Sequence, residues 1–75
     1  MNRRDEPAIP LRVLIHRHLT GHPHLTAYEV SRVLGRSMGA VFNALVRMEG
    51  DGEAERFAVP RHPGDKRPSI RWRAT

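Results

Sequence analysis

Leu25-Thr26-Ala27-Tyr28-Glu29-Val30-Ser31-Arg32-Val33-Leu34-Gly35-Arg36-Ser37-Met38-Gly39-Ala40-Val41 holds two helix starts and one helix stop. Thr26 followed three positions later by Glu29 is the capping-box pattern, in which hydroxyl and carboxylate satisfy the free amides that open a helix. Val30, Val33 and Leu34 follow at close to helical spacing, with Tyr28 adding to the same face, and Gly35 ends the segment by taking a left-handed conformation. Ser37 is then the N-cap of the next helix, whose buried stripe is Val41, Ala44, Leu45 and Met48, with Met38 packing beside it. Glu49-Gly50-Asp51-Gly52 closes that helix.

Upstream, Leu11, Leu14, Ile15, His18 and Leu19 repeat at three and four residues, predicting a first helix over Ile9 to Leu19 with Pro10 in its opening turn. Gly21, left-handed past the helix end, and Pro23 stop it. Residues 1–7 are polar and close with Pro7, predicting a flexible N-terminal arm, with the folded domain expected over 8–75. Downstream the period falls toward two. Phe57 and Val59 alternate with Arg56 and Ala58, and Ile70 and Trp72 alternate with Arg71 and Arg73. Phe57, Val59, Ile70 and Trp72 are therefore expected to cover the helices together, with the arginines outward. Residues 60–68 carry three prolines and one glycine, a loop too long for a tight hairpin turn. The fold class is α+β, three helices followed by a two-stranded hairpin.

The chain has 75 residues and no cysteine, so one small domain must hold together by burial alone, without disulfide or thiolate metal site. Its formal net charge of +5 is unevenly spread. Residues 56–75 hold Arg56, Arg61, Lys66, Arg67, Arg71 and Arg73 against Asp65, whereas the cations and anions of residues 1–55 cancel. Charge gathered on one element implies a surface for phosphates.

Gly35 and Arg36 are the short glycine-containing connection of a helix-turn-helix, whose second helix presents its unpacked face to the DNA major groove. Turning about 100° per residue from the stripe through Val41, Leu45 and Met48, the outward positions are Gly39, Ala40, Asn43, Val46 and Arg47, with Phe42 at the rim. Asn43 has the chemistry for a bidentate contact to adenine, and Ala40 or Val46 for a thymine methyl. Phosphate contacts are expected from Arg36 and Arg47, from the helix starts at Thr26 and Ser37, and from Arg61, Lys66, Arg67 and Arg71. The expected partner is double-stranded DNA, with helix 37–49 in the major groove and loop 60–68 on phosphates or the minor groove.

These residues resemble a winged helix-turn-helix domain, in particular the DNA-reading core of bacterial MarR-type transcriptional regulators. Leu25 to Val30, Leu34-Gly35-Arg36-Ser37 and Gly39-Ala40-Val41 are similar to that family's second helix, turn and recognition helix. His62-Pro63-Gly64-Asp65-Lys66-Arg67 is similar to its Asp-Pro-x-Asp-Arg-Arg wing, with His62 replacing the first aspartate and Lys66 an arginine. The resemblance covers residues 8 to 74. It implies that Lys66 and Arg67 lie along the minor groove and that Asp65 steadies the wing. The extra terminal helices that build a dimer and ligand pocket in that family are not among these residues.

A small transcriptional or replicon regulator is therefore expected, acting with a second copy or a partner protein on DNA. The alternative is a winged-helix interaction module whose basic wing docks an acidic protein. Single-stranded nucleic acid would need exposed aromatics for stacking, and the few aromatics here are assigned mostly to the core. His16, His18, His22 and His24 invite a metal reading, but His16 and His18 point some 200° apart on a helix and no thiolate completes a set. No catalytic constellation and no cofactor motif is legible, so a non-enzyme is expected. No apolar run approaches the ~20 residues of a membrane span and the start lacks a signal core, which predicts a soluble cytoplasmic protein.

Overall fold

The computed structural model describes residues 9–75; the arm expected over residues 1–7 lies outside the described residues. Thr26 and Glu29 form the capping box: Thr26 Oγ1 accepts from the Glu29 amide at 3.1 Å, and Glu29 Oε1 accepts from the Thr26 amide at 2.9 Å. The Ser37 hydroxyl likewise accepts from the Ala40 amide at 3.2 Å. These caps set α2 at Ala27–Leu34 and α3 at Met38–Gly50, preceded by α1 at Leu11–Gly21 and followed by β1 at Ala54–Val59 and β2 at Ser69–Ala74.

Gly35 takes the left-handed conformation (φ 65°) and turns the chain from α2 into α3. Gly21 does not. α1 runs through it and is capped by the His22 amide donating to the His18 carbonyl at 2.9 Å. The left-handed residue in that connection is His24 (φ 72°), held by tertiary bonds that local sequence does not encode. Its amide donates to the Trp72 carbonyl at 3.0 Å, and its own carbonyl accepts from Arg71 Nη1 at 2.6 Å.

α2 buries Ala27, Val30 and Ser31, with Leu34 partly covered, an i, i+3, i+4, i+7 stripe. Val33 and Tyr28, expected on that face, stand 59% and 53% exposed. Small Ala27 and polar Ser31 occupy the inner positions instead, and the Ser31 hydroxyl is satisfied by donating to the Tyr28 carbonyl at 2.7 Å. Around this stripe the core gathers Ile15 and Leu19 from α1, Val41, Leu45 and Met48 from α3, Ala54 from β1 and Trp72 from β2. Met38 is half-exposed rather than packed.

The hairpin corrects one sequence expectation. β1 and β2 pair antiparallel with Arg56 opposite Trp72, Phe57 opposite Arg71 and Ala58 opposite Ile70. Residues facing one another across the ladder share a face. Phe57 and Val59 therefore lie on the face opposite to Trp72 and Ile70, and Arg56 lies on the inner face, its guanidinium 4.8 Å from the Trp72 ring centroid. The Trp72 amide donates to the Leu25 carbonyl at 2.8 Å, adding a short antiparallel bridge on the far edge of β2.

Gly35→Ala meets no atom within 4 Å of the added Cβ, so its cost is conformational alone. A loss of about 1–2 kcal/mol is expected, read as a lower urea midpoint. Gly21→Ala, equally unobstructed and at an ordinary φ, is expected to leave the midpoint unchanged or slightly raised.

Candidate nucleic-acid interface

Local sequence builds the face of α3. Its inward stripe is taken up by the core, which leaves Gly39, Ala40, Asn43, Val46 and Arg47 exposed, as the helical projection predicts. No atom lies within 4 Å of where a Gly39 Cβ would stand, so the first turn offers an open surface for close approach. Ala40, Asn43 and Arg47 also form one wall of a groove of about 340 Å³, opposite Pro10, Leu11 and Arg12 of the α1 start. Phe42 flanks the other side, edge-on to Trp72 with ring centroids 6.4 Å apart, which makes it the rim of the core. Met38 and Phe42, with Tyr28 from α2 and Ile70 from β2, line a second hollow of about 450 Å³ between the helix starts and the hairpin. Sequence reading assigned Tyr28, Met38 and Ile70 to packing; their exposure follows from the α2 stripe and the hairpin register, which are tertiary.

The wing, residues 60–68, is ordered around one carboxylate. Asp65 is 4% exposed in its side chain. Its Oδ2 accepts from the Arg61 amide at 2.9 Å and from Arg61 Nε at 3.1 Å, while Oδ1 accepts from the Arg67 amide at 2.8 Å. Arg61 Nη2 then donates to the Arg67 carbonyl at 2.5 Å. The amide and guanidinium of Arg61, then the amide of Arg67, hold the Asp65 carboxyl below the ordinary aspartate range. Arg61 thus closes the base of the wing, while Lys66 and Arg67 extend their side chains into solvent near its tip.

Pairing redistributes the charge that the sequence shows concentrated in the last quarter. Arg56 makes a two-pronged contact to Glu49, with Nη2 to Oε1 at 2.8 Å and Nε to Oε2 at 3.0 Å. Arg71, expected as an outward cation, instead reaches the His24 carbonyl and, at 3.3 Å, Glu29 Oε1. Arg73 pairs with Glu55, and Arg12 with Asp51 and Glu53. Every described side-chain carboxylate engages a cation in this way. Among the described residues the cations outside ion pairs are Arg17, Arg32, Arg36, Arg47, Lys66 and Arg67. Of the sequence-predicted phosphate contacts, the structure leaves Arg36, Arg47, Lys66 and Arg67 available and engages Arg61 and Arg71 internally.

His18 and His22 stack with ring centroids 4.5 Å apart at the end of α1. Among the described residues no group of three or more His, Cys, Asp or Glu side chains stands where it could hold a metal ion. No described helix is long and apolar enough to cross a membrane.

This arrangement of three helices and a braced hairpin matches known structures over nearly its whole length. FabT from Streptococcus pneumoniae, solved in complex with DNA, superposes with a TM-score of 0.71 and 24% identity, covering 99% of this chain and 48% of FabT. The chain has a MarR-like winged-helix fold. The Multiple Antibiotic Resistance Repressor, MarR, gives the same TM-score at 23% identity, over 97% of this chain and 50% of MarR. The apo form of MarR from E. coli gives 0.71 at 22% identity, over 97% and 51%. The present chain spans about half the length of these regulators. No family model and no curated protein matches the sequence.

Because the folded-state pKa of Asp65 is depressed, the order it confers on the wing is fully present above the ordinary aspartate pKa and is lost as pH falls through the lower, folded value. Amide resonances of Arg61 and Arg67 followed by two-dimensional NMR are expected to titrate together, with a midpoint below that of an exposed aspartate. In Asp65→Ala that step disappears and both amides sharpen toward unstructured positions at all pH values.

Proposed function

We propose that this protein is a sequence-selective double-stranded DNA-binding protein, a small transcriptional or replicon regulator acting by binding and not by catalysis. One observation carries the reading: the exposed face of α3 is free of acids from Met38 to Met48, with Gly39, Ala40 and Asn43 in its first turns, and the cations Arg36, Arg47, Lys66 and Arg67, outside ion pairs among the described residues, stand at the turn, on the helix and on the wing. A helix of this kind enters the major groove with its backbone close to the base edges, while the cations take phosphates on either side. FabT, of the same fold, is known in complex with DNA, which supports this docking.

In this reading α3 lies in the major groove, where Gly39 and Ala40 permit close approach and Asn43 reads adenine. The open starts of α2 at Thr26 and of α3 at Ser37 face phosphates with their helix dipoles. Lys66 and Arg67 ride on the adjacent backbone or in the minor groove, held by the Asp65-centred wing. Arg61 contributes through that bracing, and Arg71 by tying β2 to the start of α2. One domain covers about one half-site, so a second copy or a partner protein completes a full operator. The protein works in the cytoplasm, on the nucleoid when bound.

The test is two-dimensional amide NMR of labelled protein titrated with a mixed-sequence duplex at two salt concentrations. Salt-sensitive shifts in Thr26, Arg36 to Arg47 and Arg61 to Arg67 support the reading; absence of any shift at low salt ends it and turns attention to an acidic protein partner.

Each phosphate neutralised by a side chain contributes ~0.9 to the slope of log affinity against log salt. The double variant Lys66→Glu/Arg67→Glu is expected to weaken binding to all duplexes and to flatten that slope by roughly 2. Asn43→Ala is expected to leave the slope unchanged and to narrow the gap between preferred and random sequence by about 1–3 kcal/mol. Fluorescence anisotropy over a salt series reads both.

A further inference from the structure

The DNA-reading surface proposed above carries a cluster of exposed apolar side chains. Among the described residues eight large hydrophobics are exposed, and five of them, Tyr28, Met38, Phe42, Val46 and Ile70, surround the open side of α3. Val46 stands on the outward ridge beside Asn43. Met38 and Phe42 stand on the wing side of the same helix, where they line the 450 Å³ hollow with Tyr28 and Ile70. None of this is a defect of packing. The core beneath is closed, with Trp72, Val41 and Leu45 each 1% exposed or less. The ring of Phe42 is held in place by its edge contact to Trp72 and by the Arg56 guanidinium 6.0 Å from its centroid.

Exposed apolar side chains need an apolar partner if binding is to stabilise them. The charges around this patch select which. Arg36 precedes it in the chain, Arg47 follows Val46 directly, and Lys66 and Arg67 lie on the loop that leads into Ile70. Such a border suits a polyanion, and the apolar group that duplex DNA displays in its major groove is the C5-methyl of thymine.

We infer that Val46, Met38 and Phe42, with Ile70 beside them, determine sequence preference by seating thymine C5-methyl groups, so that readout here rests chiefly on apolar contact and only locally on the hydrogen bonds of Asn43. This rests on the proposed DNA binding. The preferred site then contains thymines at the positions facing the first three turns of α3, and the protein discriminates a methyl group from hydrogen at C5.

The experiment has two stages. Selection from a randomised duplex pool yields the preferred site. That site is then synthesised with each thymine replaced in turn by deoxyuridine, which removes the methyl and keeps the Watson–Crick edge. Expected is a loss of roughly two- to fourfold in affinity for each methyl seated, the size of one buried methyl group, at two or more positions. The variant Met38→Ala/Val46→Ala changes two exposed positions, so its thermal unfolding is expected to match the parent, and its affinities for the thymine and deoxyuridine sites should differ less than the parent's. Phe42→Ala is less clean, because Phe42 also touches Trp72. Equal affinity of the parent for thymine and deoxyuridine sites, or undiminished discrimination in the double variant, overturns the inference and leaves DNA binding standing. Binding without any sequence preference does the same. Failure to bind any duplex removes the inference together with the function on which it rests.

Discussion

Burial of Trp72 is the interaction on which the other elements depend. Its ring fills the space between β2 and the helices, and both its backbone groups bond to the α1–α2 connection. The amide donates to Leu25, the carbonyl accepts from His24, and across the ladder stands Arg56. One residue therefore joins the hairpin to the α1–α2 connection and to the flank of α3. Truncating a buried aromatic of this kind costs about 3–5 kcal/mol, a large share of the ~5–15 kcal/mol that stabilises a typical domain. The described residues form one core cluster, and Trp72 is its largest member. The root of the wing is anchored in this way.

Electrostatics divides the cations into two working groups. The carboxylates of the described residues are all engaged, and the pairs they make are tertiary braces: Arg12 ties α1 to the turn after α3, Arg56 ties β1 to the end of α3, and Arg71 ties β2 to the start of α2. Each pair is exposed and individually weak. Their consequence is distributional, because they neutralise the body of the hairpin and leave Arg17, Arg32, Arg36, Arg47, Lys66 and Arg67 outside ion pairs among the described residues. Asp65 repeats the principle at small scale, using Arg61 as a strut so that Lys66 and Arg67 are presented on an ordered loop.

Element order and helix caps were legible from sequence because they are local. Thr26 with Glu29, Ser37 and Gly35 act over three or four residues, and the outward face of α3 followed from a stripe of large residues with a clear period. Asp65 as the centre of the wing was legible only through resemblance, since its partners are amides of residues that nothing in composition distinguishes. The α2 face was misread where a small and a polar residue, Ala27 and Ser31, took the inner positions and Val33 and Tyr28 did not.

By itself, then, the sequence determined three helices, the caps of the second and third, the tight turn between them, two strands and the position of net positive charge, all set by interactions between near neighbours. Tertiary structure alone decided the relation between parts. Strand alternation says that Phe57 and Val59 share a face and that Ile70 and Trp72 share a face, but which of these faces the core depends on how loop 60–68 sets the register, and a shift of one residue reverses the answer. The fates of Arg56, Arg61 and Arg71 were likewise hidden, because a cation is committed to a brace or left for a ligand according to which carboxylate or carbonyl the fold brings within about 3 Å of it.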